Sequence, residues 1–273
     1  MVAVRLGVRP FWPWPPQLLY AVDLFKDLVL DPHAFQVSLI LGKGFSFVHH
    51  PDLQQTLSLA CRAIVGIDLY HRNAPTAPKI WEICPVRNAV MHRLCSLDPP
   101  PNSNSSRSDA TYNIVRLSAL IFGDFVLFPI PDSTSVKPRL VYDLRKALEA
   151  FFQGSPASRQ ERDLVTWCTA MGAMASHSTV HKEWYTGHLN SILRDDPRLL
   201  DWILFQTLMG HFLWWDFVLY PRCWDIWSEA VQLLASEQSH YSSPSKSPSA
   251  PPGQPTVSIP ESVVRGNGIG NNS

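Results

Sequence analysis

The stretch SRQERDLVTWCTAMGAMA, residues 158–175, decides the fold class. Ser158 and Glu161 stand at the S-x-x-E spacing of a capping box, in which hydroxyl and carboxylate each accept a backbone N–H left open at a helix start. Behind them Leu164, Cys168, Met171 and Ala175 recur every three or four residues, the period of a helix and not of a strand. The same period extends outward on both sides. Upstream, Leu140, Leu144, Leu148 and Phe151 mark a helix ended by Gly154. Before it, Asp109 is placed to cap a helix carrying Ile114, Leu117, Ile121 and Phe125 until Pro129 and Pro131 stop it. Downstream, residues 179–194 carry Trp184 and Ile192 inward. Asp196 and Pro197 then read as an N-cap and first helical residue opening a helix at Trp202, and Pro221 opens a last one through Trp224, Trp227, Val231 and Leu234.

Nearer the N-terminus, helices are expected over residues 17–30, with Leu18, Val22, Phe25 and Val29 at helical spacing and Asp31-Pro32 as the stop, and over residues 34–41, 51–72 and 86–97. No segment alternates with period two for long, so the spacing predicts an all-α protein, an irregular multi-helix array. The polar, proline-rich SLDPPPNSNSSRS reads as a linker at 96–108 between an N-terminal helical portion, 1–95, and a helical core, 109–235. Residues 236–273 hold 10 Ser and 6 Pro with no apolar period, and this composition predicts a disordered tail that cannot offset its ordering entropy. Ser243-Pro244 and Ser247-Pro248 in it are candidate proline-directed phosphorylation sites, effective only where an Arg cluster meets the added charge.

Composition bounds the function. Of 273 residues 45% are hydrophobic and 17% charged, too apolar for a disordered chain. Lys+Arg and Asp+Glu balance at 23 each and the isoelectric point is near 7.1, so no global positive field exists and direct DNA contact is not expected. Five cysteines without a C-x-x-C pair fit a reducing compartment, and the proline-broken start MVAVRLGVRPFWPWPPQ lacks the apolar core of a secretory signal, so an intracellular chain is expected. The run WILFQTLMGHFLWWDFVL, residues 202–219, has the length of a membrane span. Asp216, His211 and Gln206 offset its apolar residues, which makes a buried helix the better reading and a membrane partner unexpected.

Few groups suggest chemistry. His177, His181 and His188, at offsets of four and eleven, fall near one side of a helix and are the metal candidates, although the HSTVH spacing lacks the glutamate of H-E-x-x-H. Asp195 and Asp196 precede Pro197, so capping explains Asp196 better than metal binding does. No G-x-S-x-G, P-loop or G-x-G-x-x-G occurs, Gly266, Gly268 and Gly270 belonging to the tail, and no catalytic or cofactor-binding residue is assigned. Trp184, Trp202, Phe205, Phe212, Trp214, Trp215, Trp224 and Trp227 could line an effector pocket, while aromatics at helical spacing more often fill a core. Adjacent Trp214 and Trp215 cannot face the same way, so one of them meets a partner helix, a second surface or a ligand.

The order of these pieces resembles a family. Between residues 107 and 231, ALIFGDFVLFPIP (119–131), RLVYDLRKAL (139–148), ERDLVTWCTAMGAMAS (161–176), HKEWYTGHL (181–189) and LMGHFLWWDFVLYPRCWDIWSEA (208–230) look like the C-terminal helical regulatory region of fungal zinc-cluster transcription factors. Upstream, AIVGIDLYHRNAPTAPKIWE (63–82) is similar to the family's helix end of an aspartate followed by A-x-P. The resemblance implies a non-enzymatic nuclear regulator that contacts the transcription machinery or other regulators, forms homodimers, or responds to a small effector. The family's six-cysteine DNA-binding module has no counterpart here, so a fragment, a truncated member or a stand-alone regulatory domain is expected. Outside the resemblance, the residues fit a cytoplasmic protein, and the alternative is a helical metal- or small-molecule-binding protein using the histidines and the tryptophan-rich pocket.

Overall fold

A computed structural model describes residues 31–98, 106–129, 136–153, 158–176 and 180–242, with side chains to 237. These residues form nine α-helices and no strand: α1 Pro32–Ile40, α2 Pro51–His71, α3 Ile80–Ser96, α4 Arg107–Phe122, α5 Val136–Phe152, α6 Arg159–Ala175, α7 Lys182–Asp195, α8 Trp202–Gly210 and α9 Asp216–Ser242. Short 3-10 turns lie at Lys43–Phe45 and Pro197–Leu200, and a π turn, Gly123–Leu127, continues α4. The fold is all-α. The helix expected at 17–30 lies outside the described residues.

The helix opened by Ser158 is the centre of the array. Its capping box forms as the spacing predicts: the Glu161 backbone N–H donates to Ser158 Oγ at 3.1 Å and the Ser158 N–H to Glu161 Oε2 at 3.4 Å. The apolar residues behind the cap do not make a stripe, because all of residues 164–175 are buried. Only an enclosed helix is apolar all round. Helix α6 touches α4, α5, α7, α8, α9 and the first 3-10 turn, and Thr166, Thr169, Ala170, Gly172 and Ala173 let those neighbours approach closely. One apolar core runs from Ala34 to Leu234 and takes side chains from both sides of the 96–108 stretch, with α2 and α3 packing on α4.

Several boundaries differ from expectation, each for a local reason. Asp31 caps α1, accepting the N–H groups of His33 at 2.9 Å and Ala34 at 3.0 Å. The carboxyl of Asp31 is held below the usual carboxylate range, first by the Ala34 N–H and then by the Thr76 hydroxyl. Helix α3 begins at Ile80 and not at residue 86. Pro85, its sixth residue, removes a single hydrogen bond near the start, and burial of Val86, Ala89, Val90 and Leu94 holds the helix through it. Helix α4 is capped by Ser106, and Asp109 is its capping-box partner, not the cap.

The largest correction concerns residues 202–219, which do not form one buried helix. Asp201 caps α8 through the N–H groups of Ile203 and Leu204; α8 ends at Gly210, a non-helical turn follows, and α9 starts at Asp216 with Pro221 inside it. Nor is α8 enclosed: Phe205, Leu208 and Met209 are buried, while Ile203 is 70% exposed. Asp196 caps the short turn Pro197–Leu200. Helix α9 continues to Ser242, past the expected start of the tail at 236, and Ser243 and Ser247 lie outside the described residues. Among the described residues, the helical stretch that is long and apolar enough to cross a bilayer is Arg107–Leu127, and 83% of its apolar window is buried inside the protein, where it serves as a core helix.

Gly187, midway along α7, has open space where a Cβ would stand. Gly187→Ala should therefore stabilise the fold by about 0.5–1 kcal/mol through helix propensity and a less flexible unfolded chain. Chemical denaturation reads this directly, and a loss of stability would contradict the placement.

Candidate functional site

The aromatic residues read as one pocket separate into distinct places. Phe212 belongs to the core, stacked on Trp167 with centroids 5.3 Å apart and edge-on to Phe45 at 5.2 Å. Trp184 lies on α7, stacked on His188 at 3.8 Å with the Arg145 guanidinium 5.2 Å from its ring. Trp214 and Trp215 diverge. The buried Trp214 donates its Nε1–H to Asp216 Oδ1 at 2.7 Å, an oxygen that also accepts from Gln206 Nε2 at 3.0 Å and so ties α8 to the start of α9. Trp215 turns to the partner helix α2, where its Nε1–H donates to Asp68 Oδ1 at 3.1 Å. Four of the eight do come together: the Trp202 ring lies 5.9 Å from Phe205, 5.0 Å from Trp224 and 5.3 Å from Trp227. Tyr220 joins them at 5.3 Å from Trp202.

Two of the three histidines are used structurally. His177 lies outside the described residues. His181 occupies the N-cap position of α7 without a side-chain capping bond; its Nδ1 lies 3.4 Å from Arg145 Nη1, and its ring faces Tyr142. His188 lies between Trp184 and Phe152, and its Nδ1 is 3.0 Å from the Trp184 carbonyl, which makes that nitrogen the N–H donor. Among the described residues no group of three His, Cys, Asp or Glu is placed to hold a metal ion. Burial pushes the thiols up, to about 12 at Cys61 and Cys168, to about 11 at Cys95 and further still at Cys223, so these cysteines stay protonated and unreactive at neutral pH.

What the fold builds instead is an open cleft of about 410 Å³ between the end of α2 and the start of α9, lined by Asp68, His71, Arg72, Asp216, Phe217, Tyr220 and Pro221. Asp68 organises it. Its Oδ2 accepts from Arg72 Nε at 2.8 Å and lies 2.8 Å from His33 Nε2, while Oδ1 takes the Trp215 indole, so one carboxylate joins α1, α2 and the turn before α9. The His71 ring lies 3.8 Å from Phe217 and 5.6 Å from Trp215. Beyond the cleft, Phe217, Tyr220 and Trp224 follow at intervals of three and four along one face of α9, and all three rings are substantially exposed.

Sequence reading overlooked Asp68, His71, Phe217 and Tyr220. Asp68 is the aspartate of the 63–82 stretch, but its partner Trp215 is 147 residues away, beyond any local pattern. Compared with protein-family models, curated proteins and solved structures, the chain matches none of them.

Proposed function

We propose that the chain is a non-enzymatic regulatory domain of a fungal zinc-cluster transcription factor, acting in the nucleus through contacts with the transcription machinery or other regulators. The observation that carries this reading is where the resembling stretches fall. The described part of 119–131, to residue 129, completes α4 and its π turn, 139–148 lie in α5, 161–176 are the enclosed α6, 181–189 open α7, and 208–230 span the turn from α8 to α9. Those stretches contribute most of the core around α6, so their order has a structural meaning that no single motif has. The cleft at Asp68 supports a place for an effector, since it gathers a carboxylate, a guanidinium and aromatic rings in about 410 Å³, within the size range of small-molecule sites.

Tethering the full chain to an unrelated DNA-binding module in a fungal cell tests the reading. A reporter behind that module's site should change several-fold relative to the module alone, and the change should disappear when the core is disrupted. A well-expressed, folded fusion that leaves the reporter at the module's own level would overturn it.

A further inference from the structure

The cleft at Asp68 holds two opposite charges that the fold leaves open. Asp68 itself is fully engaged: its Oδ1 accepts the Trp215 indole, and its Oδ2 meets Arg72 Nε and His33 Nε2. The bond to Nε orients the Arg72 guanidinium, which is 55% exposed and whose two Nη groups meet no acceptor among the described residues. On the facing wall, at the start of α9, Asp216 gives Oδ1 to two uncharged donors, the Trp214 indole and the Gln206 amide, while its Oδ2 meets no donor among the described residues. Trp215, bonded to Asp68, directly precedes Asp216, so guanidinium and carboxylate flank the same Asp68–Trp215 contact and line one space. The apolar part of the lining is aromatic. Phe217, 62% exposed, rests on the His71 ring at 3.8 Å, and Tyr220 follows one turn further along α9.

We propose that the cleft binds a free α-amino acid with an aromatic side chain, its carboxylate on Arg72, its ammonium on Asp216 Oδ2 and its ring against Phe217 and Tyr220. This deepens, and rests on, the reading of the cleft as an effector's place. An α-amino acid carries both charges on one carbon, so a single small molecule answers the groups on both walls. The planar guanidinium fork suits a carboxylate, and the exposed aromatic rings offer the offset and edge-on contacts that a ligand ring prefers. The other classes of similar size are disfavoured by what they leave opposed. A simple anion sets a second negative charge against Asp216, a simple amine sets a positive one against Arg72, and a nucleotide brings several negative charges to one guanidinium. One ion pair on an exposed wall is worth little after solvent screening, so selectivity depends on the three contacts being made together.

Calorimetric titration of the full chain at neutral pH tests the assignment with three compounds on one carbon frame: L-phenylalanine, phenylpropanoate, which lacks the ammonium, and phenethylamine, which lacks the carboxylate. L-phenylalanine should bind saturably with a dissociation constant of about 1 mM or below. Each of the other two should bind about three- to tenfold more weakly, a comparison that needs no substitution. Arg72→Gln should erase the advantage over phenethylamine and keep that over phenylpropanoate. Asp216→Asn, which retains an oxygen for Trp214 and Gln206, should do the converse. Phenylpropanoate or phenethylamine binding as tightly as L-phenylalanine, an advantage that neither substitution removes, or no saturable binding of any of the three overturns the proposal. Absence of binding beside a responsive tethered reporter would leave the regulatory reading standing. Selective binding beside a silent reporter would support the site and tell against that reading alone.

Discussion

Replacing Trp167 by alanine is expected to cost about 3–5 kcal/mol, the range for deleting a fully buried large aromatic. Trp167 has no exposed surface, stacks on Phe212 with centroids 5.3 Å apart, meets Phe45 edge-on at 5.3 Å and donates its indole N–H to the Leu213 carbonyl at 3.3 Å. Phe45 belongs to the turn between α1 and α2, and Phe212 and Leu213 to the break between α8 and α9. The side chain therefore holds two irregular segments against α6, which have few hydrogen bonds of their own. The Gly44 N–H to His211 carbonyl bond, 2.8 Å, links the same two segments. A chain of this size loses roughly 2–4 °C per kcal/mol, so the melting temperature should fall by about 6–20 °C. Trp167→Phe keeps the stacking and should recover more than half of the loss. A fall of only a few degrees for the alanine variant would mean that the stack does not pin the turns.

The legibility of the fold follows the range of the interactions involved. The cap at Ser158 involves residues three apart, and its hydrogen bonds are where the spacing places them. The enclosure of α6 was not legible, because a helix shows its own period but not how many neighbours surround it; Thr166, Thr169 and Ala170 look neutral in sequence and are buried in the fold. Two prolines stand inside helices. Pro221 reads as a helix opener and Pro85 directly precedes the expected start at 86, yet each is the sixth residue of its helix. In both places an acid in the first turn, Glu82 or Asp216, marks the true start, as helix polarity favours. Asp201 carries an equally local signal, an aspartate N-cap just before an apolar run, that divides 197–219 into a turn and two helices.

The site was legible only in part, since it depends on where chain direction changes. That Trp214 and Trp215 must diverge followed from their adjacency, and the structure supplies the destinations, Asp216 within the corner and Asp68 on α2. The density of the aromatic run was compatible with a pocket or with a core. Breaking it at residues 211–215 sends Phe212 into the core, Trp215 across to α2, and Phe217, Tyr220 and Trp224 to the surface. The cleft is made by α2 and α9, whose residues are brought together by the core between them, so its members share no spacing that a sequence pattern could reveal.

At Gly172 helix propensity and packing oppose each other, and packing is expected to win by about 2–3 kcal/mol. In an open helix Gly→Ala gains up to about 1 kcal/mol, as expected at Gly187. At Gly172, however, a Cβ would stand 2.0 Å from Tyr185 Cε1, 2.4 Å from Cζ and 2.8 Å from Cδ1. The ring has nowhere to go: Tyr185 is fully buried, and its hydroxyl donates to the Val141 carbonyl at 2.8 Å, joining α7 to α5 across α6. Burial also raises the phenol well above its ordinary range, so it remains a protonated donor. Making room requires either breaking that bond, about 1 kcal/mol, or moving α7 off α6, and overpacking of this kind typically costs about 1–3 kcal/mol. Gly172→Ala should therefore lower stability in denaturant titration, in contrast to Gly187→Ala on the neighbouring helix. If the Tyr185 ring is the cause, Gly172→Ala should cost much less in a Tyr185→Leu background, with a coupling of about 1 kcal/mol or more in the double-mutant cycle. Strict additivity of the two losses would place the strain elsewhere, and a neutral or stabilising Gly172→Ala would remove the close packing of α6 against α7 on which the centre of the array depends.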